Sequence, residues 1–239
     1  LSAAQRGWMA CDGDEALLSL ALPIEGIDPL LALPQLAEQE SLQVLWDSAP
    51  GLCLAAAGPC QELELAGSRR FEQAQRFADL CLSRLHNTAP DSPAHARPRV
   101  LLRFRFFDQV SERRRSEAVV PSVQAVLPRW QLSRQGRRGW LRLNGVVSSA
   151  ADCRELAEQL WLKHDQLLKT PATPTRLTPQ ALVAASEPET WRQRYATALT
   201  RGIDLVNSGD LHKLVLAVRH RIVLADSFDP LPLLKRLRR

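Results

Sequence analysis

The segment VVPSVQAVLPRWQLSRQGRRGWLRLNGVV, residues 119–147, decides the fold class of this 239-residue chain. Two runs rich in apolar and β-branched residues, 119–132 and 139–147, flank the sequence GRRG at 136–139, which is typical of a tight turn. Strands that are adjacent in sequence and joined by a tight turn pair antiparallel. The segment therefore predicts a β-hairpin within an antiparallel sheet.

Further strands and helices are predicted on either side of this hairpin. The strands are at 16–22, 42–46, 51–57, 61–65 and 100–107. The third and fourth of them are interpreted as a pair joined across Gly58-Pro59. Helices are predicted after the capping residues Asp28, Ser68 and Ser149. This order predicts an α+β fold, with antiparallel β-sheets flanked by helices, rather than a parallel doubly wound fold.

Composition excludes several classes of protein. With 45% hydrophobic and 24% charged residues, the chain is typical of a globular protein. It has no apolar run of the ~18–20 residues that a membrane helix needs, and residues 1–10 lack the apolar core of a secretory signal. Its five cysteines are an odd number without a C-x-x-C pair, which argues against a disulfide framework and a zinc site. These features predict a cytoplasmic protein with reduced thiols and no membrane partner.

The net charge of +5 raises the question of nucleic-acid binding. The sequence RFRFF at 103–107 alternates cations with aromatic rings, as in a stacking platform for bases. The same alternation is expected of any half-buried strand, and the segment lacks the glycines of an RNA-recognition strand. The charge is therefore interpreted as an arginine-rich surface, and no nucleic-acid partner is expected.

A change in composition divides the chain. The prolines and threonines of 170–180 predict a linker, because proline supports neither a helix interior nor a strand ladder. The linker separates an N-terminal α+β region, 1–169, from a second region, 181–239. The second region opens with a capping box, Ser186 to Glu189, and a helix that ends before Gly209.

The stretch LHKLVLAVRHRIVL, residues 211–224, follows at once and is predicted to be a strand that pairs antiparallel. Lys213 lies near its start, beside Val215 and Ala217 on one face. Partial burial there would disfavour the ammonium form and make the lysine a candidate general base. The alternative interpretation is a solvated lysine at the edge of a strand, which is the more common situation.

These residues resemble the segment that opens the catalytic domain of the chorismate-utilising enzymes. The matching positions are Glu189, Trp191, Ala198, Ile203, Gly209, Leu211 and KLVLA at 213–217. Upstream positions are similar to the N-terminal region of bacterial isochorismate synthases: AAAG at 55–58, Arg70-Phe71, 104–107 and LPRW at 127–130. The chain departs from the family pattern at Leu102-Arg103, where a glycine pair is usual, and at Val218, where Arg or His is usual.

The resemblance implies an activity. Family members that add water at C2 of chorismate carry lysine at the position of Lys213, whereas anthranilate synthases, which add ammonia, carry glutamine. Water needs a base to become a competent nucleophile, and ammonia does not. The resemblance therefore implies an isochorismate synthase that converts chorismate to isochorismate by Mg²⁺-dependent water addition at C2 with loss of the C4 hydroxyl, for menaquinone or phylloquinone biosynthesis. Lys213 would be its base and chorismate its small-molecule partner.

The resemblance also implies that the chain is the first part of the family fold, truncated. The general-acid glutamate and the Mg²⁺ ligands of the family are expected beyond Arg239. Residues 1–239 alone are therefore expected to be inactive, and the alternative function is that of a catalytically inactive fragment or an interaction domain. Two other family members, aminodeoxychorismate synthase and salicylate synthase, remain alternatives for the activity.

Overall fold

A computed structural model describes residues 1–11, 15–38, 42–48, 51–106, 121–169, 182–185, 188–217, 222–224 and 230–238. The chain divides into two units, Leu1–Thr173 and Pro174–Arg239. The linker predicted at 170–180 and the Ser186 cap both lie outside the described residues.

The first unit is a seven-stranded sheet with helices packed on it. Its helices are α1 (Ser2–Met9), α2 (Pro29–Ala37), α3 (Arg70–Arg84) and α4 (Ala150–Lys169). Its strands are β1 (Ala16–Glu25), β2 (Gln43–Asp47), β3 (Leu52–Leu65), β4 (Leu85–Asn87), β5 (Leu101–Phe104), β6 (Val123–Gln135) and β7 (Arg138–Val147). The strand order is β2-β3-β6-β7-β1-β4, with β5 paired to β6. Among the described strands only β1 and β4 pair in parallel, so the predicted α+β class with an antiparallel sheet is confirmed.

The central hairpin, β6 and β7, forms as the sequence predicts. Gln135 pairs with Arg138, and Gly136 in the turn between them has φ +61°. That backbone conformation is readily adopted by glycine and rarely by other residues. The two-residue turn therefore fixes the register of the whole hairpin.

The hairpin predicted between 51–57 and 61–65 is wrong. These residues form one continuous strand, β3, and both halves pair with β6, from Leu52 opposite Gln135 to Leu65 opposite Val123. The register shifts between Pro59 and Gln61, which is a β-bulge. Proline, which donates no hydrogen bond to a ladder, is thus accommodated in the strand by an irregularity rather than by a turn.

One face of the sheet is packed by helices. Leu18, Leu20, Leu141 and Leu143 are buried in the core, and α4 buries the stripe Cys153, Leu156, Leu160 and Leu167. Leu156 packs directly against Gly145 of β7, which brings helix and sheet close together. The predicted cap of α4 is confirmed, since Ser149 Oγ accepts a hydrogen bond of 3.1 Å from the Asp152 amide. The Ser68 cap is wrong, because α3 begins at Arg70 without a side-chain cap.

Opposite Leu20 and Leu143, the other side of β1 and β7 carries a buried polar network centred on Arg142. This side chain is 0% exposed. Its Nε and Nη2 donate to the Ala96 carbonyl at 3.0 and 2.7 Å, and Nη1 donates to Ser19 Oγ at 2.7 Å and Asn87 Oδ1 at 2.9 Å. Burial lowers the pKa of Arg142 to about 10, so the guanidinium remains charged at neutral pH. The 3₁₀ turn Ala94–Ala96 is therefore held to the sheet by an arginine.

The second unit contains β8 (Leu182–Ala185), α5 (Pro188–Asn207), β9 (Ile222–Leu224) and α6 (Pro230–Leu237). Strands β8 and β9 pair antiparallel, as predicted for this region. The long strand predicted at 211–224 is wrong over its first half, because residues 211–217 are not in a strand. Among the described residues of the whole chain, every helix is too short or too polar to span a membrane.

Burial is expected to slow the chemical modification of Cys60, which lies at the bulge in β3. Burial raises the pKa of this thiol to about 11, against the smaller opposing effect of Arg129. Since the thiolate is the reactive form, Cys60 should be labelled by iodoacetamide at pH 8 much more slowly in the folded chain than in urea, with the rate rising toward pH 11. Peptide mass spectrometry measures both rates. Equal rates in the folded and unfolded chain would contradict the burial.

Candidate functional site

The segment that carries Lys213 begins where α5 ends. Ser208 N donates to Asp204 O at 2.9 Å, and Gly209 N donates to Val206 O at 3.2 Å. Gly209 has φ +83°, so the predicted glycine after the last turn of the helix is confirmed. Leu211 N then donates to Leu205 O at 3.0 Å, which closes the helix end. The turn thus sends the chain back across the helix that precedes it.

Residues 211–217 contact α5 through two leucines, Leu214 and Leu216. Leu214 lies against Gly202, where a Cβ would collide with its methyl group. Leu214 and Leu216 line a cavity of about 350 Å³ together with Tyr195, Leu199 and Ile203 of the helix. The failed strand prediction thus has a local counterpart: in the described structure this segment contacts a helix through two leucines and is not part of a strand.

Lys213 is exposed, and the burial predicted for it is wrong in this unit. Its neighbours His212 and Val215 are exposed as well. Leu214, which contacts the helix, is itself 42% exposed, so this part of the unit leaves side chains on both rows open to solvent. The structure therefore gives the position of Lys213 relative to α5, and its role as a base stays a prediction.

The residues of the predicted motif come together on one helix and the turn that follows it. Ala198 and Ile203 lie on α5, Gly209 and Leu211 form the turn, and Lys213 comes two residues later. Glu189 and Trp191 belong to the same helix, and their side chains lie outside the described part of the structure. The motif is thus a single local unit that positions Lys213 relative to α5.

A magnesium site is not provided by the described residues. Among them, no group of three or more His, Cys, Asp or Glu side chains is arranged to hold a metal ion. Mg²⁺ prefers several oxygen ligands, usually with carboxylates among them.

A family model described as "chorismate binding enzyme" matches residues 3–239. The chain belongs to this family of chorismate-binding enzymes. The match confirms the family that the residues around Lys213 and in the first unit predict.

A solved structure similar to the chain is MenF, the menaquinone-specific isochorismate synthase from Escherichia coli. The sequences are 16% identical, the TM-score is 0.48, and the match covers 84% of this chain and 41% of the MenF chain. The chain thus spans less than half the length of that relative. No curated protein matches the chain in sequence.

Two polar features of the first unit were missed by reasoning from the sequence. The first is the network around Arg142. This arginine stands between Leu141 and Leu143, and such alternation of polar and apolar residues is also typical of a strand whose polar face is solvated. The second is Lys163, which is buried between Leu160 and Leu167 in the apolar stripe of α4. The spacing 153, 156, 160, 163, 167 is a signal that places this lysine on the packed face of the helix.

Proposed function

We propose that the protein is an isochorismate synthase, which adds water at C2 of chorismate and releases the C4 hydroxyl. Membership in the chorismate-binding enzymes supports the substrate. The observation that carries the choice of reaction is the lysine at 213, where the residue pattern of the family distinguishes enzymes that add water from those that add ammonia. A role in menaquinone or phylloquinone biosynthesis is part of the same proposal.

The proposed mechanism uses Lys213 as a base. The neutral amine accepts a proton from water as the water oxygen bonds to C2, and the double bonds of the ring shift as the C4 hydroxyl leaves with a proton from an acid. Because the lysine is exposed in its own unit, we propose that substrate and further protein cover it when the site is complete. Removal of water from around an ammonium group favours the neutral form that the reaction needs.

The proposal is tested by comparing two proteins in one assay. The product of the complete reading frame is expected to convert chorismate to isochorismate with added Mg²⁺, and to lose activity in EDTA. Residues 1–239 alone are expected to give no product. Chromatography of the reaction mixture separates isochorismate from salicylate and aminodeoxychorismate.

Each other outcome would contradict a different part of the proposal. Salicylate, or aminodeoxychorismate formed with added ammonium, would replace the proposed reaction by that of another member of the family. A complete reading frame that gives no product from chorismate would favour the non-catalytic interaction domain. Activity that persists in EDTA would remove the proposed requirement for Mg²⁺.

A further inference from the structure

A cavity in the first unit lies between the end of α2, strand β6 and helix α4. It has a volume of about 840 Å³, which is within the range of small-molecule sites in proteins. Polar side chains contribute much of its wall, among them Glu38, Arg129, Gln159, Lys163 and Gln166. Neither the proposed chemistry at Lys213 nor the family match assigns a role to these residues.

Lys163 occupies a position of α4 that packing alone would give to an apolar residue. It is 6% exposed, and its neighbours in the buried stripe are cysteine and leucines. Its Nζ donates to the Gln35 carbonyl at 2.8 Å, pairs with the carboxylate of Glu38, and lies 5.8 Å from the centre of the Trp130 ring. The side chain of Glu38 is 63% exposed, so only the lysine of this ion pair is buried. Lys163 thus brings a compensated charge to this wall of the cavity.

Arg129 faces the same cavity from β6 and has donors to spare. Its Nη2 donates to Gln159 Oε1 at 2.7 Å. Within the described part of the chain this is its one hydrogen bond, so Nε and Nη1 are not engaged by protein. Glu38 already neutralises Lys163, so the three charged side chains that the described residues contribute to the wall leave one positive charge, that of Arg129.

We propose that this cavity binds a small organic anion with a single carboxylate, which pairs with Arg129. The guanidinium fork matches a carboxylate in shape, and one uncompensated positive charge matches one negative charge. The apolar part of the ligand lies against Leu36, Trp130 and Leu162, which line the cavity beside the polar groups. A dianion such as phosphate fits less well, because its second charge meets the carboxylate of Glu38.

Isothermal titration calorimetry of the 239-residue chain tests the site with three probes: benzoate, its neutral analogue benzamide, and inorganic phosphate. Benzoate should bind saturably with a Kd of about 1 mM or tighter, and more tightly than either of the others. Arg129→Gln should weaken benzoate binding by about 10- to 100-fold, the loss expected for a charge-assisted hydrogen bond. Arg134→Gln, the same change on the same strand but outside the cavity, should leave the Kd unchanged.

A second variant keeps the test decisive should Arg129→Gln fail to fold. Gln166 is exposed on the wall of the cavity, so Gln166→Glu adds a negative charge without disturbing the core. It should weaken benzoate binding by about 3- to 10-fold at low salt, with the effect fading as salt is added. No saturable benzoate binding, equal binding of benzamide, tighter binding of phosphate, or an unchanged Kd in both variants would each overturn the proposal.

Discussion

Replacing Arg142 with leucine is expected to lower the free energy of unfolding of the first unit by about 2–4 kcal/mol. The substitution removes four hydrogen bonds from a group that is 0% exposed. The buried Ala96 carbonyl loses the two hydrogen bonds that it accepts from Arg142, and Asn87 Oδ1 loses one. Urea unfolding of the chain, followed by tryptophan fluorescence, measures the effect as a lower midpoint at constant slope.

The sign of this expected change depends on whether the hydrogen bonds of Arg142 stabilise the fold more than burial of its charge destabilises it. Burial disfavours the charged guanidinium, and it lowers the pKa of Arg142 from the ordinary range of an arginine to about 10. The unfolded chain therefore binds the proton more tightly, and the cost of the buried charge is present at all pH values below about 10. We expect the hydrogen bonds to outweigh this cost at neutral pH, because the alternative is a buried carbonyl without a donor.

Arg138→Leu is the matched control, since Arg138 is an exposed arginine at the start of the same strand. It should change the free energy of unfolding by less than about 0.5 kcal/mol. An Arg142→Leu chain as stable as the wild type would mean that the cost of burying the charge cancels the hydrogen bonds. The polar side of the sheet would then contribute no stability through this residue.

Local sequence was sufficient for the elements whose cause is local. The turn at Gly136 and the cap of α4 at Ser149 each depend on a few adjacent residues, and both were predicted. The continuous strand β3 was not, because whether Gly58-Pro59 forms a turn or a bulge depends on β6, which lies some 70 residues later and pairs with both halves. The buried role of Arg142 depends in the same way on the distant 3₁₀ turn that covers it.

The candidate site also combines features set by adjacent residues with features set by distant ones. The pattern of α5, Gly209 and Lys213 is local, and it was sufficient to predict the family that the chain belongs to. The exposure of Lys213 was predicted wrongly, because the burial of a side chain is set by whatever packs against it and not by the residues beside it. Lys213 was placed beside Val215 and Ala217 on the assumption that residues 211–217 form a strand, and these residues contact a helix instead.

The largest functional effect is expected from Lys213→Ala in the product of the complete reading frame. If Lys213 takes the proton of the attacking water, the substitution should lower kcat by ~10²–10⁴, the usual contribution of a positioned base. KM for chorismate should change little, because the base acts in the transition state more than in the bound ground state. Steady-state kinetics of isochorismate formation give both constants.

Two further variants make the result specific to the base. Lys213→Gln should be as inactive with water as Lys213→Ala, and with added ammonium it should show a trace of amination at C2. Lys169→Ala removes a lysine at the end of α4 whose side chain is 74% exposed and paired with Asp165, and it should leave kcat and KM unchanged.

The kinetic constants of Lys213→Ala separate three roles for this residue. A large fall in kcat at constant KM supports the base. A raised KM with kcat retained would make Lys213 a clamp for a carboxylate of chorismate. The substitution would then have weakened the binding of substrate and transition state equally, without affecting proton transfer. Unchanged constants would make it a solvated lysine, as its exposure in the isolated unit already allows. The choice of water over ammonia would then rest on a residue other than Lys213, and the isochorismate synthase proposal would lose the side chain on which it was built.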